Sequence, residues 1–324
     1  MIRCSLIVPL IVCPALSCLA GDLAPQAEEL IQASNLASDL ARSGPYQLEA
    51  TLVFHPDRKD ETRGRLVFYQ ETGRSRLQIE FTNYVETDVA LGGRLYIARD
   101  ASFPTLELAD IPRAQPAWHA VHLSGVPASQ VFNKEIHGVQ AQCFDVNVEK
   151  YKRHRNCFDS AQKVLILTEI TTSNESRTTQ MLDYHAVGEQ LVPGAVRFLE
   201  DGKPMLELQN IQVKRAPADP ALFAIPPRAL QLGACDNMKP PQMLKRVEPM
   251  YPMLARSGHI QGDVYVYMVI AGDGRVQNQK VVSGDTVLAQ AVLDAVRQWR
   301  YTPAMCGSDP VSIESHAKVS FSVR

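Results

Sequence analysis

Val264, Val266, Met268 and Ile270 alternate with Tyr265, Tyr267 and Val269, so a strand over this stretch is apolar on both faces. Ala271-Gly272-Asp273-Gly274 follows at once and supplies the positive-φ positions of a tight hairpin, whose second strand returns from Arg275 to Val282. Asp285 or Thr286 can then cap a helix that places Leu288, Val292, Ala295, Val296 and Trp299 on one face, with Pro303 as its stop. The final segment alternates more cleanly. Ile313, Ala317, Val319, Phe321 and Val323 point one way, and Ser312, Glu314, His316, Lys318, Ser320 and Ser322 the other. That pattern predicts a half-buried strand at the edge of a sheet.

An edge strand presents unpaired N–H and C=O groups along one side and can accept an extended peptide by main-chain hydrogen bonding. The same polar face, with Lys318 and its serines, also suits an edge that is kept soluble and unpaired. Tyr251, Pro252 and Trp299 read as core and turn residues rather than contacts.

Several short motifs recur in order through this region: Pro249-Met250-Tyr251-Pro252, Ala255, Gly258, Gly262-Asp263-Val264, Asp273-Gly274-Arg275-Val276, Val282-Ser283-Gly284 and Trp299-Arg300-Tyr301-Thr302-Pro303. In that order and spacing they resemble the C-terminal domain of the TonB energy-transducer family, over about Gln242 to Arg324. The resemblance implies a small α/β domain with two helices on a three-stranded antiparallel sheet. It also implies an edge that binds a short N-terminal segment of outer-membrane transporters. Carried onto this chain, partner-strand contacts are expected at Glu248, Pro249, Lys318, Val319, Ser320, Phe321 and Ser322. Family members often have Gln three residues before the Tyr-Pro pair, where this chain has Glu248. Energy-transducing members add a polar anchor helix and a long Pro-rich spacer, and neither is expected here.

At the other end, residues 1–20 read as an export signal: Arg3, an apolar run from Leu6 to Leu16, and small residues before a cut after Ala20. An uncleaved anchor and lipidation of Cys18 are the rival readings. Pro220, Pro226-Pro227 and Pro240-Pro241 mark a Pro-rich linker over 228–241 within a longer extended stretch, Pro217 to Gln242, of at most about 80 Å at roughly 3.1 Å per residue. Beyond the signal four cysteines remain, an even number that suits an oxidising compartment. Cys143 and Cys157 flank a basic tip, Lys150 to Arg155, and would face one another if the chain turns back there. A Cys143–Cys157 bridge is therefore expected, with Cys235 and Cys306 left to pair. Metal ligation is the rival, but no Cys-x-x-Cys pair exists.

The middle region, residues 21–227, opens with a helix pattern at Leu30, Ile31, Leu36 and Leu40, ended by Gly44-Pro45. Many hairpins follow, among them Arg65–Tyr69 with Arg76–Phe81 and a pair joined at Gly92-Gly93. Few helices and many hairpins argue for an α+β domain: one curved antiparallel sheet, a half-barrel, packed on a helix. The leading helix, Leu191-Val192-Pro193-Gly194 and the closing Ala218-Asp219-Pro220-Ala221-Leu222-Phe223 with Ile225-Pro226 look like the periplasmic lipoprotein-carrier fold of LolA and LolB. That resemblance implies an acyl or lipoprotein ligand. The alternative is that Phe54, Phe68, Phe81, Ile166 and Phe198 fill a solid core.

No motif points to an enzyme. There is no Gly-rich phosphate loop, no Gly-x-Ser-x-Gly elbow and no His-Glu-x-x-His pair, so no cofactor is implied. His119 and His122, near Trp118, have a weak metal-ligand spacing and are read as surface or turn residues. The basic tip Lys150, Lys152, Arg153, His154, Arg155 reads as a solvated hairpin end, with an anionic lipid surface as the minor alternative. A net charge of −2 leaves no field to gather nucleic-acid phosphates. Three functions compete: a periplasmic adaptor that binds an outer-membrane or periplasmic protein through its edge strand, a lipid or lipoprotein carrier, and a membrane-anchored transducer.

Overall fold

In a computed structural model of the protein the described residues are 25–82, 84–100, 128–149, 152–173, 175–235 and 238–322. The chain begins with α1 (Pro25–Ser38) and a 3-10 turn at Leu40–Ser43. Fourteen strands follow: β1 (Tyr46–Phe54), β2 (Thr62–Glu71), β3 (Arg74–Phe81), β4 (Tyr84–Leu91), β5 (Arg94–Arg99), β6 (Phe132–Ile136), β7 (Val139–Glu149), β8 (Lys152–Asp159), β9 (Leu165–Thr171), β10 (Ser176–Leu182), β11 (His185–Val187), β12 (Gln190–Val192), β13 (Ala195–Glu200) and β14 (Lys203–Lys214). Twelve of these and β15 (Leu230–Gly233) form one antiparallel sheet, in the order β15-β5-β4-β3-β2-β1-β14-β13-β10-β9-β8-β7-β6. Its two ends, β15 and β6, do not pair with each other, so it is not a closed barrel.

Alternation sets which side chains enter the core. In β1 Tyr46, Leu48, Ala50, Leu52 and Phe54 are buried at every second position. They share one apolar cluster with Ala27, Leu30 and Ile31 of α1, with Phe68 and Ile79 on one side of β1, and with Phe144, Phe158, Met181 and Val196 on the other. The Ser34 hydroxyl, buried on α1, accepts the Leu165 N–H at 3.0 Å and ties the helix to β9. Leu36 departs from the expected apolar face: it is 54% exposed, and the helix presents Ala27, Leu30, Ile31 and Ser34 instead. Of the aromatic positions read as core, Phe54 and Phe68 are buried, and Phe81 and Phe198 pack against the same cluster.

The C-terminal part comprises β16 (Met238–Lys239), β17 (Met243–Lys245), α2 (Met253–Ser257), β18 (Gly262–Ile270), β19 (Val276–Ser283), α3 (Thr286–Val296), β20 (Arg300–Tyr301), β21 (Ala304–Cys306), β22 (Asp309–Val311) and β23 (Ile313–Phe321). Its main sheet has the order β19-β18-β23. Val264, Val266, Met268, Val319 and Phe321 pack on Leu288, Val292 and Val296 of α3 and on Trp299. The hairpin turn requires Gly274. Its φ is +77°, its N–H bonds the Ala271 carbonyl at 2.8 Å, and a Cβ there would lie 1.9 Å from the Tyr301 oxygen. Asp285 caps α3 by accepting the Val287 N–H at 2.8 Å.

Two sequence expectations are corrected. Pro303 does not end α3, which stops at Val296. The N–H groups of Gln298 and Trp299 fold back onto the carbonyls of Ala295 and Val296, and the Trp299 indole then reaches the Val247 carbonyl at 2.9 Å. Arg153 and Arg155 are not at a solvated tip, because β8 already includes them and Asp145 and Glu169 on the neighbouring strands pair with them. Within the stretch read as a linker, 228–241, Leu230–Gly233 pairs with β5 and Met238–Lys239 pairs with β21.

Candidate functional site

β23 follows β18 along its whole length, from Gly262↔Phe321 to Ile270↔Ile313. No strand among the described residues pairs with its other side. At the beginning of that flank the Gly233 N–H donates to the Ser312 carbonyl at 2.9 Å. Beyond that point the edge is open among the described residues.

The expected partner-strand residues fall in two places. Val319 and Phe321 are buried in the core under α3, so their side chains are withdrawn from the edge. Lys318, Ser320 and Ser322 are exposed on the opposite face. Lys318 Nζ lies 3.5 Å from the Asp263 carboxylate. Asp263 is held below the usual carboxylate range, first by a hydrogen bond from Ser320, which outweighs the opposing effect of burial, and then by Lys318. Glu248 and Pro249 are off β23, on the segment between β17 and α2, where Glu248 is exposed and paired with Arg246 at 2.8 Å. Tyr251 connects that segment to the edge strand. Its ring centroid is 5.3 Å from that of Phe321, and its hydroxyl donates to the Ile260 carbonyl at 2.7 Å.

The second face of β18 is met by residues of β4 and β5 that sequence reasoning missed. Tyr267 and Val269 are buried against Ile97 of β5 and Leu232 of β15, so the N-terminal unit covers the face that α3 does not. At the rim of this contact Arg99 Nε lies 2.6 Å from Glu86, and its Nη1 and Nη2 lie 2.5 and 3.1 Å from the two oxygens of Glu314, near the start of β23. The Tyr84 hydroxyl donates to Glu86, and the Tyr267 hydroxyl to Glu314. Burial pushes the Arg99 guanidinium down, but the hydrogen bonds it donates to Glu314 and Glu86 outweigh it and leave it raised. Burial, then Glu86 and Glu314 respectively, push both tyrosines well up. The joint therefore holds a charged arginine and two protonated phenols at neutral pH. The sequence signal was the double-faced apolar pattern of β18, which calls for a cover on each side.

Both expected disulfides are present. Cys143 and Cys157 face each other across β7 and β8 and are fully buried, and Cys235 is bonded to Cys306. No group of three or more His, Cys, Asp or Glu among the described residues could hold a metal ion. His119, His122 and the candidate signal at residues 1–20 lie outside the described residues. No described helix is long and apolar enough to cross a membrane.

Comparison with known proteins matches residues 247–323 to the family model of the Gram-negative bacterial TonB protein C-terminal. The TonB protein of Escherichia coli is 37% identical over 70 residues, which is 21% of this chain and 29% of that protein. The TonB protein of Vibrio cholerae is 31% identical over 85 residues, 26% of this chain and 35% of that protein. The matches thus span about a third of the length of these relatives. Among solved structures, a LolA superfamily protein from Nitrosomonas europaea aligns with 61% of this chain and 97% of its own, at 12% identity and a TM-score of 0.43.

Proposed function

We propose that this protein is an envelope adaptor that captures an extended segment of a partner protein, adding it as a strand along β23. The observation that carries this is the nine-residue β23, hydrogen-bonded to a neighbour on one flank only among the described residues. The TonB-type match over the same residues favours a partner of the outer-membrane transporter class. The parity of the strand supports a particular geometry. The Ser312 carbonyl points to the open flank, where it meets Gly233, and on a regular strand the main-chain groups of His316, Lys318 and Ser320 point the same way. Val319 and Phe321 then bond inward to β18, and Lys318 and Ser320 supply the free donors and acceptors.

The parity makes the test specific. Proline is tolerated on an edge strand where its nitrogen faces solvent, and not where the N–H joins the ladder. A library of ten-residue envelope peptides is titrated against the full oxidised chain, and the best binder is carried to two variants. Lys318→Pro is expected to weaken capture by at least about ten-fold with a near-normal unfolding midpoint, whereas Val319→Pro unfolds the C-terminal sheet. No binder at about 1 mM peptide, or full capture by Lys318→Pro, sinks the proposal.

A further inference from the structure

The receiving strand is anchored at one end by the other unit. Arg99 comes from β5 in the large sheet, is 11% exposed, and splits its guanidinium between Glu86 of that sheet and Glu314 of β23, whose side chains are 3% and 11% exposed. The Gly233 N–H holds the Ser312 carbonyl immediately before β23, and the Cys235–Cys306 bridge closes two residues farther along from Gly233. Side-chain and main-chain ties thus meet at the start of β23, and the covalent tie holds the neighbouring β21. The same strand, from Ser315 to Phe321, has no strand on its outer flank among the described residues.

We infer that Arg99 is a positioning residue for strand capture: the N-terminal unit fixes the first residues of β23, so that an incoming segment adds to an edge already ordered. This rests on the proposed function. The physical reason is that a fraying edge must be ordered when a partner binds, and the ordering entropy is then subtracted from the affinity. Fixing one end beforehand removes part of that loss. Buried charges make the fixture rigid, because Glu86 and Glu314 lose their shared partner if the guanidinium leaves. Tyr84 and Tyr267 hold the outer lone pairs of the two carboxylates and keep them aimed at Arg99.

The test compares the full oxidised chain with Arg99→Met, Arg99→Lys and Tyr267→Phe, reading peptide capture together with amide exchange of residues 315–321. Arg99→Met is expected to weaken capture about ten-fold and to speed exchange along 315–321 in the free protein, while exchange in the peptide complex returns to the wild-type rate. Arg99→Lys restores part of both effects, which a simple loss of folding would not. If Arg99→Met does not fold, Tyr267→Phe, which leaves the ion pair in place, is expected to show the same two changes at smaller amplitude. Unchanged capture in a folded Arg99→Met, or unchanged capture and exchange in Tyr267→Phe where Arg99→Met does not fold, overturns the inference and leaves the proposed function standing. A wild-type chain that captures no peptide overturns both, and is recognised because the failure is already present before any substitution.

Discussion

The edge of the large sheet at β5 and the edge of the small sheet at β23 meet the same physical problem and solve it differently. β5 is covered: β15 pairs with it from Leu230↔Ile97 to Gly233↔Arg94, and the apolar residues Ile97 and Leu232 are buried against Tyr267 and Val269. β23 is covered at its first residues and has no strand on the rest of its outer flank among the described residues, with a charged Lys318 and two serines on its polar face. The difference teaches that the open edge is not a consequence of running out of strands. The segment between the units already supplies β15 as a cover, and it ends at Gly233, short of the rest of β23. The proposed strand capture requires such an edge, and a charged side chain along it is one of the devices by which edges avoid pairing with copies of themselves.

This contrast can be broken in order of expected effect. The largest follows from the Cys235–Cys306 bridge, which closes a 71-residue loop and holds the end of β15 against the C-terminal unit. Replacing both cysteines by serine is expected to cost about 4 kcal/mol, read by denaturant unfolding and by faster proteolysis after β15. A change under about 1 kcal/mol would mean that packing alone holds the cover in place. A middle effect is expected of Tyr267→Phe, which removes the hydroxyl that donates to Glu314 while keeping the ring against Ile97 and Leu232. A loss of about 2 kcal/mol is expected, because a hydrogen bond to a buried carboxylate is worth more than a neutral one. The smallest effect concerns Asp263 at the far end of the edge. Its folded carboxyl titrates below the 3.8 of the free group, so its contribution is complete above about pH 4 and is lost as the pH falls through its lowered value. Asp263→Asn should lower stability slightly near neutrality and converge on the wild-type curve as the pH falls through that acid window. A difference that appears only in acid, with none near neutrality, would contradict this assignment.

Much of the local architecture was legible because it depends on neighbours in the chain. The β18–β19 hairpin follows from Asp273-Gly274 between two apolar runs, and α3 starts where Asp285 offers a carboxylate to the Val287 N–H. The Cys143–Cys157 bridge was readable because the two residues sit at equal distances from a turn, which puts them opposite each other in register. The end of α3 was not readable. Pro303 is the expected stop, yet the helix closes at Val296, so that Trp299 can enter the core and bond the Val247 carbonyl fifty-two positions away. The basic residues of β8 were misplaced for a related reason: Asp145 and Glu169, which pair with them, lie on strands whose registers set the meeting. The candidate site divides the same way. Its strand was visible in the alternation of residues 312–322, whereas Arg99 lies 215 positions from Glu314 and carries no local mark.

Spacing along the chain settled that residues 264–270 and 313–321 are strands, because side-chain alternation depends only on the backbone repeat. It also settled that β18 needs shelter on two sides, because seven apolar side chains in a row cannot all face one core. Which elements give that shelter came from the assembled molecule: α3 lies on one face, and β5 with β15 on the other. So did the point at which β23 becomes free, since it is set by where Gly233 and Arg99 reach across. Those contacts join segments far apart in sequence, and their geometry exists only once both sheets have packed.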